Sequence, residues 1–533
     1  MFYICSMSNV HVVWFKRDLR VHDHAPLLAA VASGAPVLPL YIFEPEFWAL
    51  PEHSGRQFDF MMESLRSLDE ALKVRGSSLC IRVGDAGQVF ADLHKRHGLA
   101  AIHAHEEIGL QWSYDRDRAV QRWALKAGIA LREQPQHGIV RRHPGSGDGW
   151  ARQWEAWMLA PRAKAPDEIR SSGVPTGEWP AGDDFRLKTD PCPGRQPGGR
   201  AEGVELLRSF IASRGRRYRT VMDSPQSAEG ACSRLSPHFT FGTVSIREAY
   251  QGAIRARTEL ERDGDSTFAA SLDTFLSRLQ WHCHFLQKLS DQTTINSRNL
   301  HVAPDGLRDR VSDGDPRLEA WTSGRTGFPF LDACMRSLND TGWLNHRMRA
   351  MVMAFAAQHL WMDWQQPAAR LAALFTDFEA GIHYPQAQKQ AGVRPAGIPR
   401  IYNPVKQSVD HDRDGDFIRR WVPELSGLSS THIHAPWDAP KAELARAGIV
   451  LGQTYPMRIV DHMAAAREAR DRIYAGQGAQ GQKDRTTPVQ TQWATNRPLS
   501  SSRRERPEAS SPKQLAFDLQ LPEAAQPQPS PHA

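Results

Sequence analysis

Short apolar runs alternate with longer amphipathic stretches in the first 140 residues. Stretches with helical spacing, such as 56–75 and 113–127, separate the apolar runs. Alternation of this kind predicts a doubly wound parallel sheet, an α/β domain over residues 9–140, with a ligand beyond the carboxyl ends of its strands. The predicted strands are VHVVWF (10–15), APVLPLYIF (35–43), SSLCIRVG (77–84), LAAIHAH (99–105) and IALREQP (129–135).

The strand pattern does not return after this region. Residues 141–200 are rich in Gly, Pro and charge, which is typical of a connector, and contain one short amphipathic helix, WARQWEAWML. Residues 201–475 have helical spacing throughout and predict a large all-helical domain. The polar segment 478–533 predicts a disordered tail. The helices expected in the helical domain are 202–213, 245–261, 267–290, 329–339, 341–360 and 365–376.

Composition narrows the class of protein. No run approaches the roughly 20 apolar residues of a membrane helix, and the start lacks a signal-peptide layout. The six cysteines are scattered singly without a CxxC pair, so we expect a cytoplasmic protein without a structural zinc or iron–sulfur cluster. The net charge of +6 permits an anionic partner without requiring one.

The segment WHCHFLQKL (281–289) contains three adjacent residues of metal-ligand type, His282, Cys283 and His284. On a helix, residues i and i+2 point about 200° apart, so the two imidazoles face different sides and cannot hold one ion. We therefore expect no metal site. Two interpretations remain open: a buried helix that carries polar groups, or a helix whose Trp281 and His282 line a site.

Two segments of the helical region suit an anionic ligand. SRLSPHFTFG (233–242) places Ser233 and Ser236 at a helix start, where free backbone N–H groups bind phosphate. SRGRRYRT (213–220) surrounds Tyr218 with four arginines, which suits a phosphate-rich partner. Capping is the alternative role for either serine alone.

Charged groups also occur where the pattern predicts burial. Arg347 and Arg349 lie in the apolar run RMRAMVMAF, and a buried arginine needs an anion, for which Asp377 is the candidate. The loop KRDLRVHDH (16–24) follows the first strand in place of a GxGxxG or GxxxxGK motif, so an ordinary dinucleotide or P-loop site is not expected. Alone, this loop could be a solvated turn.

Four ordered motifs within about residues 9–425 resemble the DNA photolyase/cryptochrome flavoproteins. They are WFKRDLRVHDH, SRLSPHFTFG, SGRTGFPFLDACMRSLNDTGWLNHRMR and IYNPVKQSVDHDRDGDFIRRWVPEL. The resemblance implies an antenna domain at 9–140 and a helical FAD-binding catalytic domain at 201–475. It also implies a deoxyribodipyrimidine photo-lyase, which repairs UV-damaged DNA by light-driven electron transfer from reduced FAD to a flipped-out pyrimidine dimer. The alternative is a cryptochrome-like blue-light photoreceptor without repair activity.

The resemblance also implies roles for individual residues around the flavin. Arg349 and Asp377 would form an ion pair beside the isoalloxazine ring. Glu379 would contact the flavin or its ribose, and His383 would face the reactive nitrogen. The flavin phosphates would lie near His282 and be held by Tyr218, Ser233, Leu235 and Ser236.

The implied catalytic residues do not decide which type of lesion the enzyme would repair. Trp281 would stack on the extruded base, but Arg278 stands where enzymes for cyclobutane dimers usually carry Glu. His346 stands where enzymes for (6-4) photoproducts use a catalytic His, but their second His falls on Ala350. The DNA-binding candidates are Trp281, Arg278, Arg394, Arg400 and Lys406.

The electron path and the partners are the remaining expectations. Trp364 matches the middle member of the family's tryptophan chain, but YPQAQKQAG (384–392) lacks the flavin-proximal Trp, with Tyr384 or Trp361 as a detour. A second antenna chromophore would be folate or deazaflavin, or absent, and the protein would be a monomer. QLAFDL (Gln514–Leu519) resembles the peptides that dock on the bacterial sliding clamp, with a chance apolar cluster as the alternative.

Overall fold

The computed structural model describes residues 9–141, 149–187, 190–299, 306–393 and 401–480. Its single named sheet is parallel, with strands in the order β3-β2-β1-β4-β5, and confirms the predicted α/β sheet. The order reverses between β1 and β4, so this sheet is doubly wound. The strands are β1 Val10–Phe15, β2 Val37–Phe43, β3 Cys80–Val83, β4 Leu99–His105 and β5 Ala130–Gln134.

Helices cover both faces of the sheet, which explains why its strands are apolar throughout. On one face, Val13 and Phe15 of β1 belong to the same core as Leu65. On the other face, Val12 of β1 and Phe90 share a second core. The helices of this part are α1 Ala25–Ala32, α2 Pro45–Trp48, α3 Gly55–Lys73, α4 Ala86–His97 and α5 Gln111–Ala127.

The rest of the described chain is mostly helical, as expected. None of its described helices is both long and apolar enough to cross a membrane. The helices are α6 Trp150–Leu159, α7 Arg200–Ala212, α8 Tyr218–Val221, α9 Pro225–Ala231, α10 Ser236–Thr240, α11 Ile246–Arg262, α12 Ser266–Asp291, α13 Pro316–Thr322, α14 Pro329–Thr341, α15 His346–Gln358, α16 Gln365–Leu374, α17 Ala380–Ala391, α18 Pro404–His411, α19 Asp416–Trp421, α20 Lys441–Arg446 and α21 His462–Gln480.

Two helix boundaries differ from the sequence prediction. The helix expected at 341–360 begins only at His346, because Gly342 ends α14 in the left-handed conformation and Asn345 caps α15. The Asn345 side chain accepts a hydrogen bond from the Met348 N–H at 2.9 Å. In addition, α21 continues to Gln480, past the predicted start of the tail. The candidate clamp peptide Gln514–Leu519 lies outside the described residues.

The loop 16–24 is largely buried, so its interpretation as a solvated turn is wrong. It docks on the segment between α10 and α11: the Leu19 N–H donates to the Phe241 carbonyl at 3.0 Å, and Arg20 Nη1 donates to the Gly242 carbonyl at 2.8 Å. Asp23 accepts a hydrogen bond from Ser245 Oγ at 2.7 Å. The first strand is thereby joined to the helical part through charged groups.

Within the same loop, Asp18 Oδ2 lies 2.9 Å from His24 Nε2 and 2.7 Å from His105 Nδ1. These three buried groups are close enough to share a metal ion. However, His24 Nδ1 accepts a hydrogen bond from the Leu27 N–H at 3.0 Å, which places the ring proton on Nε2, facing Asp18. A metal on Nε2 would leave neither nitrogen of the His24 ring with a proton, which is the imidazolate form. The geometry therefore favours a hydrogen-bonded cluster of Asp18, His24 and His105 without a metal.

Gly242→Ala is expected to lower the free energy of unfolding by more than about 2 kcal/mol. Gly242 has φ +66°, and an added Cβ would lie 2.3 Å from the Arg17 carbonyl oxygen and 2.5 Å from Asp18 Cα. The left-handed backbone alone costs a non-glycine residue about 1–2 kcal/mol, and the steric clash adds to it. The matched control is Gly264→Ala, with φ +80° and nothing within 4 Å of the added Cβ. If denaturant unfolding showed the same loss of unfolding free energy in both variants, a steric clash at Gly242 would be contradicted.

Candidate functional site

Arg17 connects three segments that are far apart in the sequence. Its Nε donates to the Thr240 carbonyl at 3.1 Å, and its Nη2 donates to the Phe378 carbonyl at 3.0 Å. The same Nη2 lies 3.4 Å from Glu379 Oε1. Because Arg17 is the second residue after β1, these contacts bring α10 and the start of α17 to the carboxyl edge of the sheet, where doubly wound sheets bind ligands.

The ion pair expected from the sequence is present. Arg349 Nη2 lies 2.7 Å from Asp377 Oδ2, and Arg349 Nε donates to the Leu344 carbonyl at 2.8 Å. The Asp377 side chain is only 2% exposed, whereas that of Arg349 is 26% exposed. The guanidinium also lies 4.0 Å from the centre of the Phe375 ring. The pair therefore places a buried carboxylate beside a cation that water can reach.

Arg234 is a second cation of this region, and the sequence analysis missed it. It is buried, has a positive φ of 61°, and lies 4.0 Å over the Trp343 ring. Burial, with a smaller contribution from Arg349, lowers its pKa to about 10 against the opposing effects of Glu229 and Asp377. Its position between two residues assigned to phosphate binding was the only sequence signal that could have identified it.

The segment that begins at Ser233 is held by Arg214. The Arg214 guanidinium donates to backbone carbonyls of Leu206, Gly230, Cys232 and Ser233, at 2.8–3.3 Å. This corrects its assignment to a phosphate-binding cluster, because its donors are already used within the protein. Ser233 Oγ accepts a hydrogen bond from the Leu235 N–H at 3.4 Å, and Ser236 begins α10.

Tyr218 is buried, whereas the other arginines around it are exposed. Tyr218 is buried against Phe210 and Phe275, and burial raises the pKa of its phenol, an effect that the nearby Arg278 guanidinium opposes. Arg216 pairs with Asp265 on the surface, and Arg217 and Arg219 are exposed. Only the exposed arginines have the position expected of groups that meet an external phosphate.

On α12, the two histidines of WHCHF face different neighbours, as predicted. His282 lies against Phe239 and His137, whereas His284 lies against Trp150 and Trp281. Burial, together with the charge of Arg17, lowers the pKa of His282 to about 4. Arg278 and Trp281, three residues apart, share one side of the helix.

His346, the first residue of α15, is exposed to water on one side and surrounded by protein on the others. Desolvation and the nearby cations Arg278, Arg349 and Lys389 together lower its pKa to about 4, against the opposing effect of Asp223. The imidazole is therefore neutral near pH 7. His346 thus lies in surroundings that carry excess positive charge.

The aromatic candidates separate into two groups. Trp364 is buried, donates from Nε1 to Asn299 Oδ1 at 2.8 Å, and has its ring centre 6.0 Å from that of Tyr384. Trp361 instead packs in a separate cluster with Ile473. Of the two detours considered from the sequence, Tyr384 is therefore the one that contacts Trp364. His383 Nε2 donates to the Ala368 carbonyl at 2.8 Å, and burial lowers its pKa to about 4.

The structure places only one of the three phosphate-contact candidates near α18. Lys406 is 71% exposed and lies 3.1 Å from Asp410 on the same helix. A surface pair of this kind contributes little to stability, so the ammonium can exchange its partner at small cost. Arg394 and Arg400 lie outside the described residues.

Three buried polar atoms of the site have no hydrogen-bond partner among the described residues. They are Arg234 Nη1, His282 Nδ1 and Asp377 Oδ1. Asp377 lies close enough to affect the pKa values of both Arg234 and His282, so the three atoms belong to one region. An unsatisfied buried polar group costs about 1–3 kcal/mol. The set therefore fits a large polar ligand that both donates and accepts hydrogen bonds, as FAD does.

The chain combines a doubly wound sheet and a helical region with a group of buried polar atoms that fits a polar ligand. Residues 11–146 match the family model for DNA photolyase, and residues 275–475 match the FAD binding domain of DNA photolyase. A deoxyribodipyrimidine photo-lyase of Agrobacterium fabrum is 30% identical over 486 residues, covering 87% of this chain and 97% of that one. The chain belongs to the DNA photolyase/cryptochrome family.

Other relatives carry both names of this family. A cryptochrome DASH of Natronomonas pharaonis is 30% identical over 482 residues, covering 84% of this chain and 98% of that one. A class III photolyase of Agrobacterium tumefaciens has a TM-score of 0.78 at 28% identity, covering 90% of this chain and all of that one. An archaeal photolyase of Sulfolobus tokodaii with two FAD molecules has a TM-score of 0.69 at 25% identity, covering 87% of this chain and all of that one.

Proposed function

We propose that this protein is a photolyase that uses FAD and light to repair pyrimidine dimers in UV-damaged DNA. The observation that carries the proposal is the position of His346. It is exposed to water, and Arg278 and Arg349, the cation of the ion pair with Asp377, are close enough to lower its pKa. A lesion that binds at this surface would meet cations for its phosphates and an imidazole N–H.

The residues that would hold FAD are those with free polar atoms and those at the helix starts. Asp377 Oδ1 and His282 Nδ1 would bind polar groups of the flavin, while Arg349 contacts the other carboxylate oxygen, Asp377 Oδ2, at 2.7 Å. Tyr218, Ser233, Leu235, Ser236 and Arg234 would surround the phosphates. Glu379, whose pKa is raised by burial against the opposing effect of Arg17, would contact the ribose or the ring, and His383 would lie near the reactive nitrogen.

Bound FAD supplies one electron under blue light, and the chain's residues prepare the lesion for it. Trp281 would stack on the extruded base, while Arg278 and Lys406 would hold backbone phosphates. Arg394 and Arg400 keep the same proposed role. Trp364 would relay electrons toward the flavin.

A second chromophore near the sheet is a separate part of the proposal. The Sulfolobus tokodaii photolyase, which contains two FAD molecules, supports it. The absorption spectrum of the purified protein would distinguish folate, deazaflavin, flavin or no second pigment.

The lesion is tested with two oligonucleotides, one carrying a cyclobutane thymine dimer and one a (6-4) photoproduct. Protein with chemically reduced flavin is illuminated, and the products are separated by chromatography. We expect restored thymines in the light and none in the dark. If His346 donates the proton for (6-4) repair, His346→Ala reduces that repair by about a hundredfold or more and leaves cyclobutane repair unchanged.

The pH dependence gives a second test of His346. Its low pKa in the free protein means that the protonated form becomes more populated as the pH falls, and bound phosphates raise the pKa toward neutrality. Repair of the (6-4) lesion should therefore increase as the pH is lowered from about 8 to about 5. His94→Ala, in α4, is the control and should match the unmodified protein. If neither oligonucleotide is repaired by reduced flavin, the photoreceptor function shared with the cryptochrome relatives takes the place of repair.

A further inference from the structure

A buried tyrosine and a buried carboxylate form a direct contact between the two parts of the molecule. The Tyr384 hydroxyl donates to Glu52 Oε1 at 2.6 Å. Tyr384 is 2% exposed and Glu52 is 4% exposed, and they are 332 residues apart in the sequence. An O–H···O distance of 2.6 Å lies in the range of hydrogen bonds to a charged carboxylate.

The Glu52 carboxylate has no ion-pair partner among the described residues. No Lys, Arg or His of the described residues lies within 4.0 Å of the Glu52 carboxylate, although its backbone carbonyl accepts a hydrogen bond from Gln57. Burial raises the pKa of Tyr384 well above its ordinary value, and the neighbouring Glu52 raises it further. The phenol therefore keeps its proton in the resting protein, facing an acceptor that is already in place.

The aromatic neighbours of Tyr384 connect the pair to the flavin site. Its ring centre is 6.0 Å from Trp364 on one side, 6.0 Å from Phe378 and 5.2 Å from His383. Phe378 directly follows Asp377, the carboxylate of the ion pair. Tyr384 thus lies between a buried tryptophan and the residues that would contact the flavin.

A phenol is a poor one-electron donor while it keeps its proton, because the phenol radical cation is a very strong acid. Oxidation becomes much easier when a base accepts the proton as the electron leaves. A base must lie within about 2.6–3.2 Å of the donor oxygen to do this, and Glu52 Oε1 meets that condition.

We propose that Tyr384 and Glu52 form a proton-coupled electron donor that reduces the flavin under light. Tyr384 gives one electron to the light-excited, oxidised flavin, and its hydroxyl proton moves to Glu52 Oε1. The O–H bond of Tyr384 breaks and an O–H bond of Glu52 forms, leaving a neutral tyrosyl radical and a protonated Glu52. A thiol reductant in solution then returns the electron, and Glu52 returns the proton. This inference rests on the proposed function for the presence of the flavin.

A purely structural role is the alternative, because the same hydrogen bond also joins α17 to the loop before α3. Both roles make the contact contribute to stability, so a change in melting temperature does not separate them. The rate of flavin photoreduction does separate them, because a structural tether has no influence on where the phenolic proton goes.

The test measures light-driven loss of oxidised-flavin absorbance in purified holoprotein with a thiol reductant, in H2O and in D2O. We expect a solvent isotope effect and a transient tyrosyl radical signal in the unmodified protein. Tyr384→Phe and Glu52→Gln should slow photoreduction by about a hundredfold, and Glu52→Gln, which keeps an oxygen acceptor, should abolish the isotope effect. Trp361→Phe, in the separate hydrophobic cluster with Ile473, should leave the rate unchanged.

The outcomes separate this inference from the proposed function. Absence of both the isotope effect and the tyrosyl signal in the unmodified protein overturns the inference, whatever the variants do. Unchanged photoreduction in Tyr384→Phe and Glu52→Gln overturns it as well. Repair by chemically reduced protein bypasses Tyr384, so it should persist in both variants. If the unmodified, chemically reduced protein repaired neither lesion, the proposed function would be overturned instead.

Discussion

Asp377→Asn is expected to release most of the flavin. The substitution leaves Arg349 without its 2.7 Å partner and removes the negative charge near the buried Arg234. Breaking a fully buried ion pair costs about 3–5 kcal/mol. Because a quarter of the Arg349 side chain is exposed, we expect about 2 kcal/mol, which is roughly thirtyfold weaker flavin binding. Flavin retained after gel filtration and the Kd from flavin fluorescence measure the effect.

The control for this variant is Asp309→Asn. Asp309 also pairs with an arginine, Arg317, at 2.8 Å, but its side chain is 52% exposed. Exposed pairs contribute about 0–1 kcal/mol, so this variant should bind flavin normally. Stoichiometric flavin in Asp377→Asn, or equal losses in the two variants, would contradict the placement of the cofactor beside Asp377.

Trp281→Ala is expected to weaken binding to damaged DNA by about tenfold to a hundredfold in the dark. Stacking of a base on an aromatic side chain contributes about 1–3 kcal/mol, and only an extruded lesion reaches the tryptophan. Binding to undamaged DNA depends on phosphate contacts, which this substitution leaves intact. Fluorescence anisotropy with matched damaged and undamaged oligonucleotides measures both affinities.

Two variants make this measurement specific. Trp281→Phe keeps an aromatic surface and should lose less affinity than Trp281→Ala. Trp123→Ala removes a half-buried tryptophan that stacks on Phe90 beneath the sheet, and it should bind damaged DNA normally. An equal loss of affinity for both oligonucleotides in Trp281→Ala would show that Trp281 supports the fold and does not contact the lesion.

The electrostatics of the site give these effects a common cause. Arg234, Arg278 and Arg349 place excess positive charge in the site, and the pKa values of Arg234 and His346 are lowered in part by it. Phosphates of FAD and of DNA would supply the missing negative charge. Occupation of the site should therefore raise the pKa of His346, which is the direction that proton donation requires.

The sheet and most helices were predictable because each depends on local periodicity. The strands, buried on both faces, are short apolar runs, and α12 has apolar residues at helical spacing over its length. The boundary before His346 was missed because the left-handed Gly342 and the Asn345 cap interrupt a continuous pattern. The Arg349–Asp377 pair was predictable because a charge in an apolar run requires a counter-charge.

The sequence by itself determined the fold class, the family motifs and one ion pair, since these depend on patterns within short segments or on residues whose chemistry demands a partner. Only the tertiary structure decided that Arg17 joins three segments, that the buried Arg234 lies close enough to Asp377 for its pKa to be affected, and that Tyr384 contacts Glu52. These interactions link segments that are far apart in the sequence. No local pattern specifies them, because they follow from how the sheet and the helices pack against each other.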